Sequence, residues 1–241
     1  MDCLEGMKQL PDNFVDLTIT SPPYNAKAGG GQIRQNGKFY NQYSDDLTQE
    51  EYYNFIKLNI EQMIRVTKRY VFFNFQLLKG NKLAYLQLMS DFKENIKEII
   101  IWDKPTHQPS IQPTCLSSAF EFIVVFTKKE QAINRSFEFC NFDNFVKGKI
   151  RSNVIKVDVA GNTSKDFDKH QKLNFATFTR DFVYYFIDNF AKENDIILDP
   201  FSGTGTVAYC AKLRGLDYVG FEIDSKQVDY SNKRLLQSRL V

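Results

Sequence analysis

Cysteine and histidine are scarce in this chain. The four cysteines, Cys3, Cys115, Cys140 and Cys210, stand far apart with no C-x-x-C pair, so neither a disulfide frame nor a zinc knuckle is spelled out. Two histidines, His107 and His170, leave a metal centre short of ligands, and no metal is expected. No apolar run approaches the ~20 residues needed to span a bilayer, and no signal peptide is visible. Charge of either sign is also missing in excess: 31 Lys and Arg face 29 Asp and Glu. A polyanionic partner can therefore be argued only from local clusters. The expectation is a soluble cytoplasmic protein with no membrane partner.

Aromatics are plentiful, with 22 Phe and 12 Tyr among 241 residues. They can fill a core or stack on planar ligands. Short apolar runs recur at "VDLTIT" (15–20), "YVFFNF" (70–75), "IKEIIIW" (96–102), "FEFIVVF" (120–126), "DIILD" (195–199) and "DYVGFEI" (217–223). Most are nearly continuous, as in strands covered on both faces. Helical patterns separate them. "TQEEYYNFIKLNIEQMIRVTKR" puts Tyr53, Ile56, Ile60, Met63 and Ile64 on one stripe, with Thr48 as N-cap and Glu51 three residues on. "TRDFVYYFIDNFAK" reads likewise, as does "GTVAYCAKLRG", which stops at Gly215. The pattern predicts an α/β fold with a mostly parallel sheet covered by helices on both faces.

Two regions break the alternation. Residues 25–47 form a glycine-rich polar loop carrying Lys27, Arg34 and Lys38 with no acid before Asp45. Residues 128–173 read as an irregular insert with Lys147, Lys149, Arg151 and Lys156 interleaved with Phe142 and Phe145. Both are candidates for phosphate contacts.

The first strand ends in Ser21-Pro22-Pro23-Tyr24. Neither proline can donate to a ladder, so the strand must stop there in a rigid corner. Far along the chain, "DIILDPFSGTGTVAYCAKLRGLDYVGFEID" reads strand, glycine turn, helix, strand, acid. Gly203 and Gly205 allow a close ligand approach, but Ala208 stands where a dinucleotide fingerprint has its third glycine. The Lys-Ser/Thr of a phosphate loop is absent as well. Asp199, at the turn itself, would repel a pyrophosphate and suits a ligand with a cationic part. Glu222, at the end of the next strand, is placed to accept from ribose hydroxyls. An adenosyl group with a positive amino-acid tail fits, namely S-adenosylmethionine.

"TSPPYN", "DPFSGTGT" and "GFEID" together resemble the DNA amino-methyltransferases of the permuted beta group, in which the catalytic tetrapeptide precedes the cofactor loop. The resemblance covers nearly the whole chain. It implies a Rossmann-like, circularly permuted methyltransferase domain. Residues 1–127 would form its catalytic half, 128–173 a small target-recognition insert, and 174–241 its cofactor-binding half. It also implies S-adenosylmethionine as methyl donor and double-stranded DNA as substrate. A cognate restriction endonuclease and a homodimer are further expected partners. Asp199, Pro200, Phe201, Ser202, Gly203, Thr204, Gly205, Thr206, Glu222 and Ile223 would line the cofactor, joined by Asn174, Ala176 and Phe178 from the segment before it. Asn174 and Thr179 stand where the family often has His and Pro. Asp2 matches an acid that contacts the cofactor adenine, and equally reads as the N-cap of "CLEGMKQL".

The resemblance gives the proline corner a chemical sense. An exocyclic base amine is a poor nucleophile because its lone pair is delocalised into the ring. Ser21 Oγ and the Pro22 carbonyl would accept its two hydrogens and redirect that pair toward the methyl. Pro23 stiffens the corner, and Tyr24 would stack on the base once it is flipped out of the duplex. Ser at the first position goes mostly with cytosine-N4 in the family, whereas Asp or Asn goes with adenine-N6. Cytosine-N4 is therefore expected, with adenine-N6 as the alternative. A non-catalytic DNA-binding module is the reading from another class. Trp102 and His107 lie either at the mouth of the site or, for the Trp, in the core.

Overall fold

The computed structural model describes residues 1–26, 46–105, 114, 116–140, 152–158 and 178–237. Among the described residues seven strands form one sheet: β1 (Val15–Thr20), β2 (Thr67–Phe75), β3 (Ile96–Asp103), β4 (Phe120–Phe126), β5 (Val154–Lys156), β6 (Ile196–Asp199) and β7 (Asp217–Gly220). Their order is β5-β3-β4-β2-β1-β6-β7. The pairs β1–β2, β1–β6, β6–β7 and β3–β5 are parallel. Strand β4 alone runs against both its neighbours, β2 and β3. The sheet is thus mostly parallel, as expected.

The two faces are covered by different helices. On one lie α1 (Cys3–Lys8), α2 (Gln49–Val66) and α3 (Lys82–Asp91), and on the other α5 (Arg180–Phe190) and α6 (Thr206–Leu213). The strand period of two sorts the side chains between them. Leu17, Ile19, Tyr70 and Phe72 pack with Phe182, Phe186 and Val207, whereas Val15, Val71 and Phe73 pack with Ile56, Ile60 and Met63. A short helix, α4 (Lys129–Ala132), follows β4, and α7 (Ser225–Gln237) closes the described chain. Helix α2 begins at the expected capping box: Glu51 N–H donates to Thr48 Oγ1, and Glu51 Oε2 accepts from Thr48 N–H. Helix α6 is followed by Gly215 at φ +69°, a turn glycine at the expected stop.

Part of the segment read as irregular is regular. Strand β5 adds to the β3 edge, with Ile155 buried, and Phe137 and Phe139 pack against Tyr70 and Phe190. Three residues are too few to give a readable period, so only tertiary pairing reveals this strand. Trp102 is a core residue: it packs on Phe182 and donates from Nε1 to the Val157 carbonyl at 2.7 Å.

The connections position the site. After β1 the chain passes through α2 on one face, and after β6 through α6 on the other. The neighbouring parallel strands β1 and β6 therefore send their chains to opposite sides. Such a switch point opens a crevice at their carboxyl ends.

Candidate active site

Ser21 to Tyr24 follow directly on β1, and the corner is pinned from Pro23 onward. Tyr52 Oη donates to the Pro23 carbonyl at 2.8 Å, and Asn81 Nδ2 to the Tyr24 carbonyl at 2.7 Å. Asn25, buried at φ +50°, donates to Leu47 and Gly80 carbonyls and accepts from Leu47 N–H. The Pro22 carbonyl takes no bond from the described residues. The Tyr24 hydroxyl lies 3.0 Å from Ser21 Oγ, 2.8 Å from Asn74 Oδ1 and 2.9 Å from Glu121 Oε2. Burial, reinforced by the Glu121 charge, pushes this phenol well above its ordinary range. It stays protonated and neutral.

The glycine turn is built around two carboxylates. Asp199 ends β6 and is 5% exposed. Burial pushes it up to about 7, against the lowering effect of its hydrogen bonds from Thr20 and Phe201, and the Glu222 charge adds to the rise. Thr20 Oγ1 donates to Oδ1 at 2.7 Å and Phe201 N–H donates to the same oxygen at 3.1 Å. Oδ2 has no partner among the described residues. Glu222 Oε2 accepts from Gly203 N–H at 2.8 Å, and Oε1 accepts from Ile223 and Asp224 N–H. The acid after β7 thereby holds the glycine turn in place. Gly205 sits at φ +76°, where a Cβ would lie 1.9 Å from Ser231 Oγ. Only glycine fits. Pro200, Thr204 and Thr206 are buried, Ser202 and Gly203 half-buried, and Ile223 exposed. Phe201 meets Phe55 edge-on at 6.0 Å.

The two motifs are joined by the Thr20–Asp199 bond, between residues 179 apart in sequence. Ser21, next in the chain after Thr20, stands beside the glycine turn. A buried carboxylate with one free oxygen, a second carboxylate after the next strand and a backbone turn closed by glycine suit a ligand with an ammonium group and ribose hydroxyls. The donor set fits S-adenosylmethionine.

The wider comparison agrees with this geometry. A family model described as DNA methylase, of the N6/N4 type, matches residues 15–233. This chain belongs to the N6/N4 DNA methylase family. The methylase is 27% identical over 243 residues to the Type II methyltransferase M.HinfI of Haemophilus influenzae, covering 97% of this chain and 66% of that relative. In fold it is similar to PvuII DNA methyltransferase, described as cytosine-N4-specific, with a TM-score of 0.74, 17% identity, and coverage of 100% of this chain and 86% of that one. It also resembles the M1.HpyAVI–SAM complex, with a TM-score of 0.60, 20% identity, and coverage of 98% and 96%.

Asp2 lies next to this site and caps α1: its Oδ1 accepts from Leu4 and Glu5 N–H, while the preceding Met1 nitrogen donates to the Glu222 carbonyl at 2.7 Å. Phe178 stacks on Phe182 at 4.3 Å, and Thr179 caps α5 by accepting from Phe182 N–H. Asn174, Ala176, Lys27, Arg34, Lys38, Lys147, Lys149 and Arg151 lie outside the described residues. Three site residues escaped sequence reasoning. Thr20 is one of several β-branched residues in its strand, and only the pairing of β1 with β6 gives it Asp199. Asn74 reads as part of an apolar run. Glu121, a lone acid in "FEFIVVF", carried a usable signal, because a buried strand keeps a charge only with a partner.

Proposed function

We propose that this methylase moves a methyl group from S-adenosylmethionine to N4 of a cytosine flipped out of double-stranded DNA. The observation that carries the reading is the Thr20–Asp199 bond, which sets the Ser-Pro-Pro-Tyr corner against the glycine turn. Ser21 and the fold likeness to a cytosine-N4-specific enzyme favour cytosine over adenine.

In this reading Asp199 Oδ2 receives the ammonium of the donor's amino-acid tail, and Glu222 the ribose hydroxyls. S-adenosylmethionine, when bound, supplies a methyl carried on a positive sulfur. Ser21 Oγ and the Pro22 carbonyl accept the two amine hydrogens, favouring pyramidal nitrogen with its pair aimed at the methyl carbon. The clamps on Pro23, Tyr24 and Asn25 hold both acceptors ready before the base arrives. Tyr24 lays its ring on the base. With the donor held by Asp199 and Glu222 and the amine by Ser21 and Pro22, the methyl would pass directly from sulfur to nitrogen, the sulfur keeping the bonding pair, and the amine proton would leave to water. No protein nucleophile is required. Cys3, which follows Asp2, is pushed up to about 12, chiefly by burial, and is inert.

Lys27, Arg34 and Lys38, with Lys147, Lys149 and Arg151 of the recognition segment within 128–173, would hold duplex phosphates. The protein would act in the cytoplasm as the modification partner of a restriction endonuclease, with a homodimer as the working form. The test is to incubate the protein with unmethylated DNA and S-adenosylmethionine, digest the DNA to nucleosides and weigh them. N4-methylcytosine is the expected product. N6-methyladenine would overturn the choice of base, and no methylated nucleoside from a protein that binds S-adenosylmethionine would overturn the transfer.

A further inference from the structure

The mechanism above leaves unused a buried ion pair at the active edge of the sheet. Lys104 follows β3 and Glu121 is the second residue of β4; Nζ and Oε1 are 2.9 Å apart, with side chains 8% and 11% exposed. Such a pair seldom stabilises a fold more than apolar residues of the same volume would. Its other carboxylate oxygen, Oε2, lies 2.9 Å from the Tyr24 hydroxyl, which in turn lies 3.0 Å from Ser21 Oγ.

Counting protons fixes the sense of this chain. Tyr24 has one hydroxyl proton and is flanked by two oxygens that only accept, Glu121 Oε2 and Asn74 Oδ1, since the Asn74 nitrogen is turned to the Phe122 carbonyl. The Ser21 hydroxyl must therefore donate inward to Tyr24. Its lone pairs are left for a donor outside, as an amine acceptor requires. The chain works only while the Tyr24 oxygen stays where Ser21 can reach it. Asn74 alone is a neutral partner, whereas a carboxylate held from behind by an ammonium makes a shorter and stiffer bond.

We propose that Glu121, braced by Lys104, is a positioning residue that anchors the Tyr24 hydroxyl and so holds the Ser21 acceptor and the Tyr24 ring in register with the target amine. This rests on the reading of Ser21 as the amine acceptor. Neither Glu121 nor Lys104 is required to touch the base or the methyl donor.

The test replaces both charges together, as Lys104→Met with Glu121→Leu, so that no lone buried charge is left to unfold the protein. Melting temperature and S-adenosylmethionine affinity should stay at wild-type values, while the single-turnover methylation rate falls about tenfold or more. Tyr24→Phe should lose a similar factor. The triple variant should be no slower than Tyr24→Phe, because the pair acts only through that hydroxyl. Glu121→Gln, which keeps a polar but neutral partner for Tyr24, should fall between the double variant and the wild type. Wild-type turnover in the double variant would overturn the proposal, and so would losses that multiply in the triple. A Glu121→Gln enzyme as fast as the wild type would do the same, since no carboxylate braced by Lys104 would then be needed. A parallel Ser21→Ala enzyme separates the levels of argument. If it works at the wild-type rate, the acceptor reading fails. If it is slow while the double variant is not, only the positioning role fails.

Discussion

Asp199→Asn should make the protein more stable at neutral pH while weakening its hold on the methyl donor. Asparagine has the same shape and keeps Oδ1 for Thr20 and Phe201, so both bonds survive. What changes is the cost of a buried charge. The carboxyl moves from 3.8 to about 7 on folding. At about 1.4 kcal/mol per pH unit this corresponds to about 4 kcal/mol. The sign follows from the raised value. The folded state prefers the neutral acid, so the contribution is full below pH 3.8 and is lost as the pH climbs toward 7. The variant has no such loss. Urea unfolding of both proteins at pH 5 and pH 8 isolates the effect, because every other titrating group cancels in the comparison. The advantage of the variant should grow by about 3 kcal/mol between the two. A gap that is the same at both pH values would refute the reasoning. Donor binding should move the other way. At pH 8 the variant binds S-adenosylmethionine more weakly, while wild-type affinity drops about tenfold for each pH unit below 7, where the carboxyl must first lose its proton.

Thr20→Val, which keeps the shape of the side chain, should destabilise the fold by about 1–3 kcal/mol through the lost donor to a buried carboxylate, and calorimetric titration should show weaker donor binding. Gly205→Ala should cost about 2–4 kcal/mol, from left-handed strain and the forced shift of Ser231, seen as a lower melting temperature. Adding Ser231→Gly should relieve the second part only. Thr48→Ala removes one side of the α2 capping box and should cost about 1 kcal/mol, read from urea midpoints with donor affinity unchanged.

Much of this was legible in the chain itself. Six of the strands fall in short runs rich in apolar and β-branched residues, and Thr48 and Gly215 act through local rules that need no distant partner. Ser21-Pro22-Pro23-Tyr24 and Asp199 to Gly205 could be read as two halves of one candidate site because their joint occurrence in this order resembles the amino-methyltransferase pattern. The direction of β4 could not be read, since an apolar run has the same pattern either way round. That direction puts the start of β4, and hence Glu121, beside the ends of β1 and β2. Lys104 looks like an ordinary charge until the β3–β4 register pairs Trp102 with Glu121 and brings the lysine within reach.

The bond between Thr20 and Asp199 also sets a timetable. A ribosome that has released the Ser-Pro-Pro-Tyr corner must still deliver most of the polypeptide before β6 can slot in beside β1. Until then the nascent chain has nothing with which to capture a methyl donor. Competence should therefore arrive in a single late event, and the slow search for that long-range pairing, rather than the quick winding of α2, should govern how fast the enzyme matures.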